Sequence, residues 1–290
     1  LKLLLLAPTL LARAMSRPEH IAPPEVFYNQ DEAEKYAGNS RMIEIQSAMS
    51  ERAIELMCLP ETPCLVLDVG CGSGISGGVL SEFGHTWIGL DISPFMLQVA
   101  KSREAEGDIM LSDIGQGFGF RAGTFDGVIS ISAIQWLCNQ DKKVHIPFKR
   151  MCVFFVSLYN CMKKGTRAVL QFYPETAEQA EMITAAALKA GFTGGMVVDY
   201  PHSTRARKHF LVLMCGTTVH LPPGLMDSTE EDQRIGIRNQ ERLREKRRKG
   251  KQRAVKGKQW VIDKKEFMRK QGKDVAGDSK YTARKRKTQW

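Results

Sequence analysis

Three acids close three apolar runs, and a glycine-rich stretch follows the first. They are Asp68 in "CLVLDVGCGSGISGG", Asp91 in "TWIGLD" and Asp113 in "DIMLSD". Glycines after a strand let the backbone pass close to a ligand with no Cβ in the way. Gly72-x-Gly74-x-x-Gly77 satisfies the dinucleotide fingerprint. Asp91 could accept from a ribose in a NAD enzyme as well, so neither feature discriminates. Asp68 does. At the mouth of the first strand an acid would repel dinucleotide phosphates, but it would attract an ammonium or a sulfonium. The expected ligand is therefore zwitterionic and phosphate-free, which describes S-adenosylmethionine. Asp113 would then accept from the adenine amino group. Each acid alone could be a solvated loop residue; the series of three makes the constellation.

Methyl transfer is an in-line displacement, so alignment does much of the work. The fourth strand ends in "SISAIQWLCN". It lacks the Asn or Asp with prolines that would hold an exocyclic amine. Cys138 follows a leucine, outside the Pro-Cys or Thr-Cys setting of a pyrimidine nucleophile, and reads as structural. No Lys/Asp/Lys/Glu tetrad for a ribose hydroxyl can be assembled. A target with its own lone pair remains, such as a purine ring nitrogen. Ser132, Gln135 and Trp136 could position a flipped-out base with no general base required. Trp136 could equally be a core or cofactor-packing residue.

These residues need a frame. Apolar spacing predicts a helix over 31–58, and strands over 64–69, 86–91, 108–113, 125–132 and 167–173. Ser93 and Pro94 open a helix. Another is expected near 147–163, ended by Gly165, and Thr176-x-x-Gln179 caps a third before Gly191. "MVVDY" (196–200) and "HFLVLMC" (209–215) are expected to be antiparallel neighbours. Alternating strands and helices imply an α/β fold with a mostly parallel sheet covered on both faces. The ligand belongs at the carboxyl ends of the strands, at the switch point.

Of 42 Lys and Arg and 32 Asp and Glu, 22 and 6 fall between 234 and 290. A mildly acidic body thus carries a strongly basic tail, which suits nucleic acid or another acidic partner. "REKRRKGKQRAVKGKQW" (244–260) and "RKRK" (284–287) form two basic clusters, suited to phosphate contact and to nuclear import. The tail has few aliphatic residues and is expected to be largely disordered. The expected layout is an extension over 1–14, a catalytic domain over 15–215, a linker over 216–233 and the tail over 234–290. "LKLLLLAPTLLARA" invites comparison with a signal peptide; the preferred reading is an upstream extension before "MSRPEH". Seven cysteines, none in a CxxC pair and none with zinc spacing, are expected to be reduced thiols, with no metal site.

"FYNQDEAEKYAGNSRM", "LDVGCGSGISG", "GLDISPFML", "ISISAIQWLCN", "GFTGGMVVDYP" and "YTARKRK" together resemble the eukaryotic methyltransferase family that modifies a guanine N7 in small-subunit ribosomal RNA. The human member's gene lies in the Williams–Beuren region. The resemblance runs from about Pro18 to Lys287. It implies the Rossmann-like, seven-stranded class I methyltransferase fold, S-adenosyl-L-methionine as cofactor, and work in 40S subunit biogenesis in the nucleus and nucleolus, with some chain in the cytoplasm. It also implies a heterodimer with a small zinc-binding activator protein, and ribosomal RNA of the pre-40S particle as substrate. Asp68, Gly70 and Gly72 match the cofactor loop, and Asp91 with Ile92 the ribose acid. Asp113 with Ile114 matches the adenine pocket. Tyr28, Tyr36 and Arg41 match the segment that closes over the cofactor. The chain departs from the family at Gly119, where proline is usual, at Ala283, where glycine is usual, in "HIPFKR" and in the terminal "TQW". Alternatives to a working enzyme are an assembly factor whose methylation is dispensable or impaired, and a NAD-dependent oxidoreductase.

Overall fold

The computed structural model describes residues 17–203, 206–216 and 221–226, and the isolated positions Ile262, Lys265, Glu266, Arg269 and Gly277. The chain divides into two compact units, Leu1–Asp227 and Ser228–Trp290. The extension expected over 1–14 lies outside the described residues, as does nearly all of the tail. In the second unit, the residues described at 262, 265, 266 and 269 are helical.

Seven strands form one sheet. They are β1 (Leu65–Val69), β2 (Thr86–Asp91), β3 (Asp108–Leu111), β4 (Phe125–Ile131), β5 (Met162–Phe172), β6 (Phe192–Asp199) and β7 (Lys208–Cys215). Their order is β3-β2-β1-β4-β5-β7-β6. Pairing is parallel from β3 through β5, and β7 runs antiparallel between β5 and β6. The chain moves outward from β1 to β3, then returns to place β4 on the other flank of β1. The strand order thus reverses between β1 and β4, and the crevice lies at this switch point, at the strands' carboxyl ends.

Helices cover both faces. On one side α3 (Ser40–Met57) and α4 (Ile75–Glu82) bury Met49, Ala53, Val79 and Leu80 against Trp87 and Val66. On the other, α6 (Pro147–Cys161) and α7 (Ala177–Lys189) bury Met151, Phe154, Leu158 and Ile183 against Leu170 and Leu211. The chain enters through α1 (Pro24–Phe27) and α2 (Gln30–Gly38), and α5 (Pro94–Ser102) follows β2. The 31–58 helix of the sequence reading is two helices. Asn39 leaves the helical region, and its side chain accepts from Met42 N–H as the cap of α3. The α6 helix ends at Cys161, not at Gly165. Gly165 instead lies within β5 at φ +85°, where the pairing with β4 shifts register. β6 begins at Phe192, four residues earlier than the apolar run indicated. β3 stops at Leu111, so Asp113 is not a strand residue but the cap of a short 3-10 turn, Ile114–Gln116.

Candidate functional site

At the crevice lies a cavity of about 670 Å³, walled by the glycine loop, the ends of β2 and β4, and the chain's first helices. Gly70, Gly72 and Gly74 all adopt positive φ. A Cβ on Gly70 would overlap the Cβ of Ala133, so the loop and the turn after β4 pack with no room to spare. Gly77 has its own reason. A Cβ there would run into the Trp87 ring, so this glycine seats α4 on the sheet.

Asp91 closes β2 and lines the cavity. Its Oδ2 accepts from Gly72 N–H and its Oδ1 from Ser93 N–H, each at 2.8 Å. Burial pushes its carboxyl up from the ordinary value, and the backbone donors oppose the rise. The remaining lone pairs can take hydroxyl donors. Ser93, which follows, does two jobs. Its Oγ accepts from Met96 N–H to cap α5, and donates to the Tyr28 carbonyl at 2.7 Å.

Asp68 is not where the sequence reading put it. It is fully buried behind the loop and is not among the residues lining the cavity. Its Oδ2 accepts from Ser76 Oγ at 2.6 Å, and its Oδ1 has no partner among the described residues. Burial and the nearby Asp91 raise its carboxyl to about 7, against hydrogen bonds from Ser76 and the Gly77 amide. The correction follows from the pleat. Side chains alternate along a strand, and Asp68 turns toward the start of α4, away from the mouth.

Asp113 does face the cavity, with Ile92 and Ile114. Its Oδ1 accepts from Gly115 N–H at 2.9 Å and from Arg150 Nη2 at 2.5 Å, and its Oδ2 from Gln116 Nε2 at 3.1 Å. Arg150 also meets His145 Nδ1 at 2.8 Å, and Asp141 stands 4.0 Å away. The sequence reading missed this cluster. Its signal was an arginine inside the buried stripe of α6, beside Met151 and Phe154, which demands an acid partner.

The roof is the segment from Arg17 to Tyr36. Tyr28 and Tyr36 both line the cavity and meet edge to face at 6.2 Å. Burial drives both phenols upward, Tyr36 to about 12. Tethers hold the segment down. Arg17 Nη1 donates to the Tyr173 carbonyl at 2.9 Å, His20 meets Glu175 at 3.0 Å, and Glu25 pairs with Lys142 at 3.2 Å. Arg41 does not take part: it is exposed and outside the lining, where Asn39 and Met42 stand instead.

Ser132, Gln135 and Trp136 come together at the end of β4, on the cavity wall. Ser132 holds φ +57°, and its Oγ donates to Gln171 Oε1 at 2.7 Å. Gln135 Nε2 donates to the Ser132 carbonyl at 2.9 Å, leaving its Oε1 without a partner among the described residues. Trp136 is 8% exposed, with the rings of Phe27 and Tyr28 at 6.0 and 5.8 Å. It packs the roof, which favours the packing reading over that of an open stacking platform. All seven cysteines are free thiols, and burial raises Cys138 to about 12. Among the described residues there is no metal-ligating cluster and no helix long and apolar enough to cross a membrane.

Ser73 Oγ and Gln135 Oε1 are buried polar atoms on this wall with no partner among the described residues, and Asp91 keeps acceptor capacity toward the cavity. This donor and acceptor set fits a cofactor bearing hydroxyls, an amino group and positive charge.

Comparison with known proteins agrees with this. Residues 67–152 match the family described as methyltransferase domain, and 213–288 that described as methyltransferase involved in Williams-Beuren syndrome. The chain is 53% identical to the 18S rRNA (guanine-N(7))-methyltransferase of Mus musculus, over 96% of this chain and 99% of that one. It is 52% identical to that of Arabidopsis thaliana, over 95% and 99%. A solved complex of the Haloferax volcanii Trm112 methyltransferase activator with a putative methyltransferase is similar at 19% identity. There the TM-score is 0.47, covering 64% of this chain and 98% of that one.

Proposed function

Since the chain belongs to the family of 18S rRNA (guanine-N(7))-methyltransferases, we propose that this cavity holds S-adenosylmethionine and methylates N7 of a guanine in small-subunit ribosomal RNA. The observation that carries the reading is the pairing of Asp91, fixed by two backbone amides, with a β4 end that carries Ser132, Gln135 and Trp136 in place of an Asn or Asp with prolines. When bound, the cofactor supplies a methyl group on a sulfonium, an electrophile that a ring nitrogen can attack with its own lone pair.

The chain's residues then have to bind and align. Gly70 and Gly72 bring bare backbone to the ligand, and Asp91 accepts from ribose hydroxyls. Asp113, with Ile92 and Ile114, receives the adenine. Tyr28 and Tyr36 close the roof and exclude water. Asp68 acts from behind, holding Ser76 and the start of α4 in place. Ser132 and Gln135 are held in place by hydrogen bonds to Gln171 and to the Ser132 carbonyl, and offer the base their remaining acceptor oxygens, with Trp136 supporting the roof above them. Because N7 carries no proton, no general base is needed, and alignment is the protein's main contribution.

The partner chemistry extends the proposal. Among the described residues the β3 edge of the sheet has no strand paired on its outer side, and it exposes Met110 (48%) and Leu111 (62%), which suits a small activator protein docking there. The basic residues of 234–290 suit RNA phosphates and nuclear import, consistent with work in the nucleus and nucleolus on the pre-40S particle. The test is to map N7-methylguanine in 18S ribosomal RNA with and without this chain, co-expressed with its activator. The mark is expected to disappear with the chain and to stay absent with Asp91→Lys. A mark that persists in the chain's absence overturns the proposal.

A further inference from the structure

After the 3-10 turn that follows β4, residues 139–149 run along the rim of the cavity, as a loop to Ile146 and then as the first turn of α6. Asp141 and His145 turn inward and line the cavity. The apolar residues between them turn outward: Val144 is 83% exposed, Ile146 58% and Phe148 39%. Lys142, Lys143 and Lys149 are exposed on the same stretch, and Lys189 of α7 lies 5.6 Å over the Phe148 ring. Asp141, the one acid here, is turned toward Arg150 and only 10% exposed. Every exposed charge on this stretch is therefore positive, and with Lys142 paired to Glu25 the unpaired ones, among the described residues, are Lys143 and Lys149.

Exposed apolar side chains on a loop lack the burial that would stabilise them, and such exposure marks a contact surface. The arrangement selects the kind of contact. A protein interface centres on a continuous apolar patch with a polar rim. Here apolar and cationic residues interleave along one stretch of chain, as in surfaces that track a phosphate backbone while giving bases an apolar face. Resting on the RNA-methyltransferase reading above, we propose that residues 142–149 form a lip that grips single-stranded RNA flanking the target guanine. Lys143 and Lys149 take phosphates, and Val144, Ile146 and Phe148 meet the neighbouring bases.

The test uses the full chain with a 4-thiouridine-labelled single-stranded RNA containing one guanine. Affinity is read across a salt series, and photo-crosslinked peptides are mapped. Lys143→Glu with Lys149→Glu should weaken binding about tenfold at low salt. It should also flatten the log–log salt slope by about 1 to 1.5, at ~0.7 for each phosphate no longer neutralised. Val144→Ser with Ile146→Ser should weaken binding several-fold and leave the slope unchanged. Neither pair lines the cavity, so calorimetric affinity for S-adenosylhomocysteine should stay at the wild-type value, which also reports folding. Crosslinks within 139–149 that vanish in both variants support the lip. Crosslinks confined to 228–290, or both variants binding RNA as wild type does, overturn it while leaving the methyltransferase reading standing. Protection of 139–149 by the activator protein, with RNA affinity unchanged in the variants, also overturns it. A wild-type chain with no affinity for RNA overturns the reading beneath it.

Discussion

Arg150 Nη2 lies 2.5 Å from Asp113 Oδ1, with side-chain exposures of 11% and 16%. The pair joins α6 to the turn after β3. Gly115 makes room for it, since a Cβ there would overlap the guanidinium. The guanidinium and the Gly115 amide hold Oδ1 and so fix the direction of Oδ2, which accepts from Gln116 Nε2 and keeps a second lone pair for an amino group. Arg150→Met should therefore weaken S-adenosylhomocysteine binding by roughly 10- to 100-fold, the scale of one charge-assisted hydrogen bond. Its preference over the hypoxanthine analogue, which offers a carbonyl instead of the amino group, should shrink. Calorimetry with both ligands reads this; an unchanged ratio would show that Arg150 merely supports the fold.

Two adjacent glycines make opposite predictions. A Cβ on Gly77 runs into the Trp87 ring, while one on Gly78 meets nothing within 4 Å. Gly77→Ala should cost about 1–3 kcal/mol through overpacking. Gly78→Ala, in the same helix, should stabilise by about 0.5–1 kcal/mol through helix propensity. Urea titrations of both variants should move in opposite directions.

Asp68 predicts a pH dependence. Unfolded, its carboxyl ionises near the ordinary value of 3.8; folded, it holds its proton to about 7. Between these values the folded chain binds the extra proton. The favourable contribution is complete below 3.8 and is lost as pH rises toward 7. Asp68→Asn should remove this slope, so the stability gap between wild type and variant should change between about pH 4.5 and 7.5 by a few kcal/mol at most. Melting temperatures at the two pH values test it, and parallel curves would count against a buried, protonated Asp68.

Ser93 caps α5 and anchors Tyr28 with one hydroxyl. Ser93→Ala should cost about 1–2 kcal/mol in capping and anchoring. Amide exchange should also quicken over 17–28 more than over the sheet. Thr176→Ala, which removes the cap of α7 without touching Tyr28, provides the comparison.

The sheet was legible because every strand contains a short apolar run, which in β1, β2 and β6 meets an acid, and the periodicity of Met151, Phe154 and Leu158 marked α6. What escaped depended on contacts distant in sequence. Asn39 divides a helix because its side chain caps the next turn, although the apolar spacing runs on through it. At the site, Asp91 and Asp113 were readable as acids closing apolar runs. The orientation of Asp68 was not, since the glycine pattern is the same whichever way its carboxylate points. Arg150 went unnoticed because its partner lies 37 residues earlier. Arg41 was carried over by resemblance alone, and the helix that bears it turns it to solvent.

The tethers of the first helices have a kinetic consequence. Ser93 stitches the roof to the cofactor side of the crevice, while Arg17 and Glu25 stitch it to the end of β5 and to the loop after β4. One flap thus spans both compartments, and it cannot lift from one without loosening the other. Spent cofactor and modified RNA would leave through a single opening event, so turnover would be paced by how often that flap lets go.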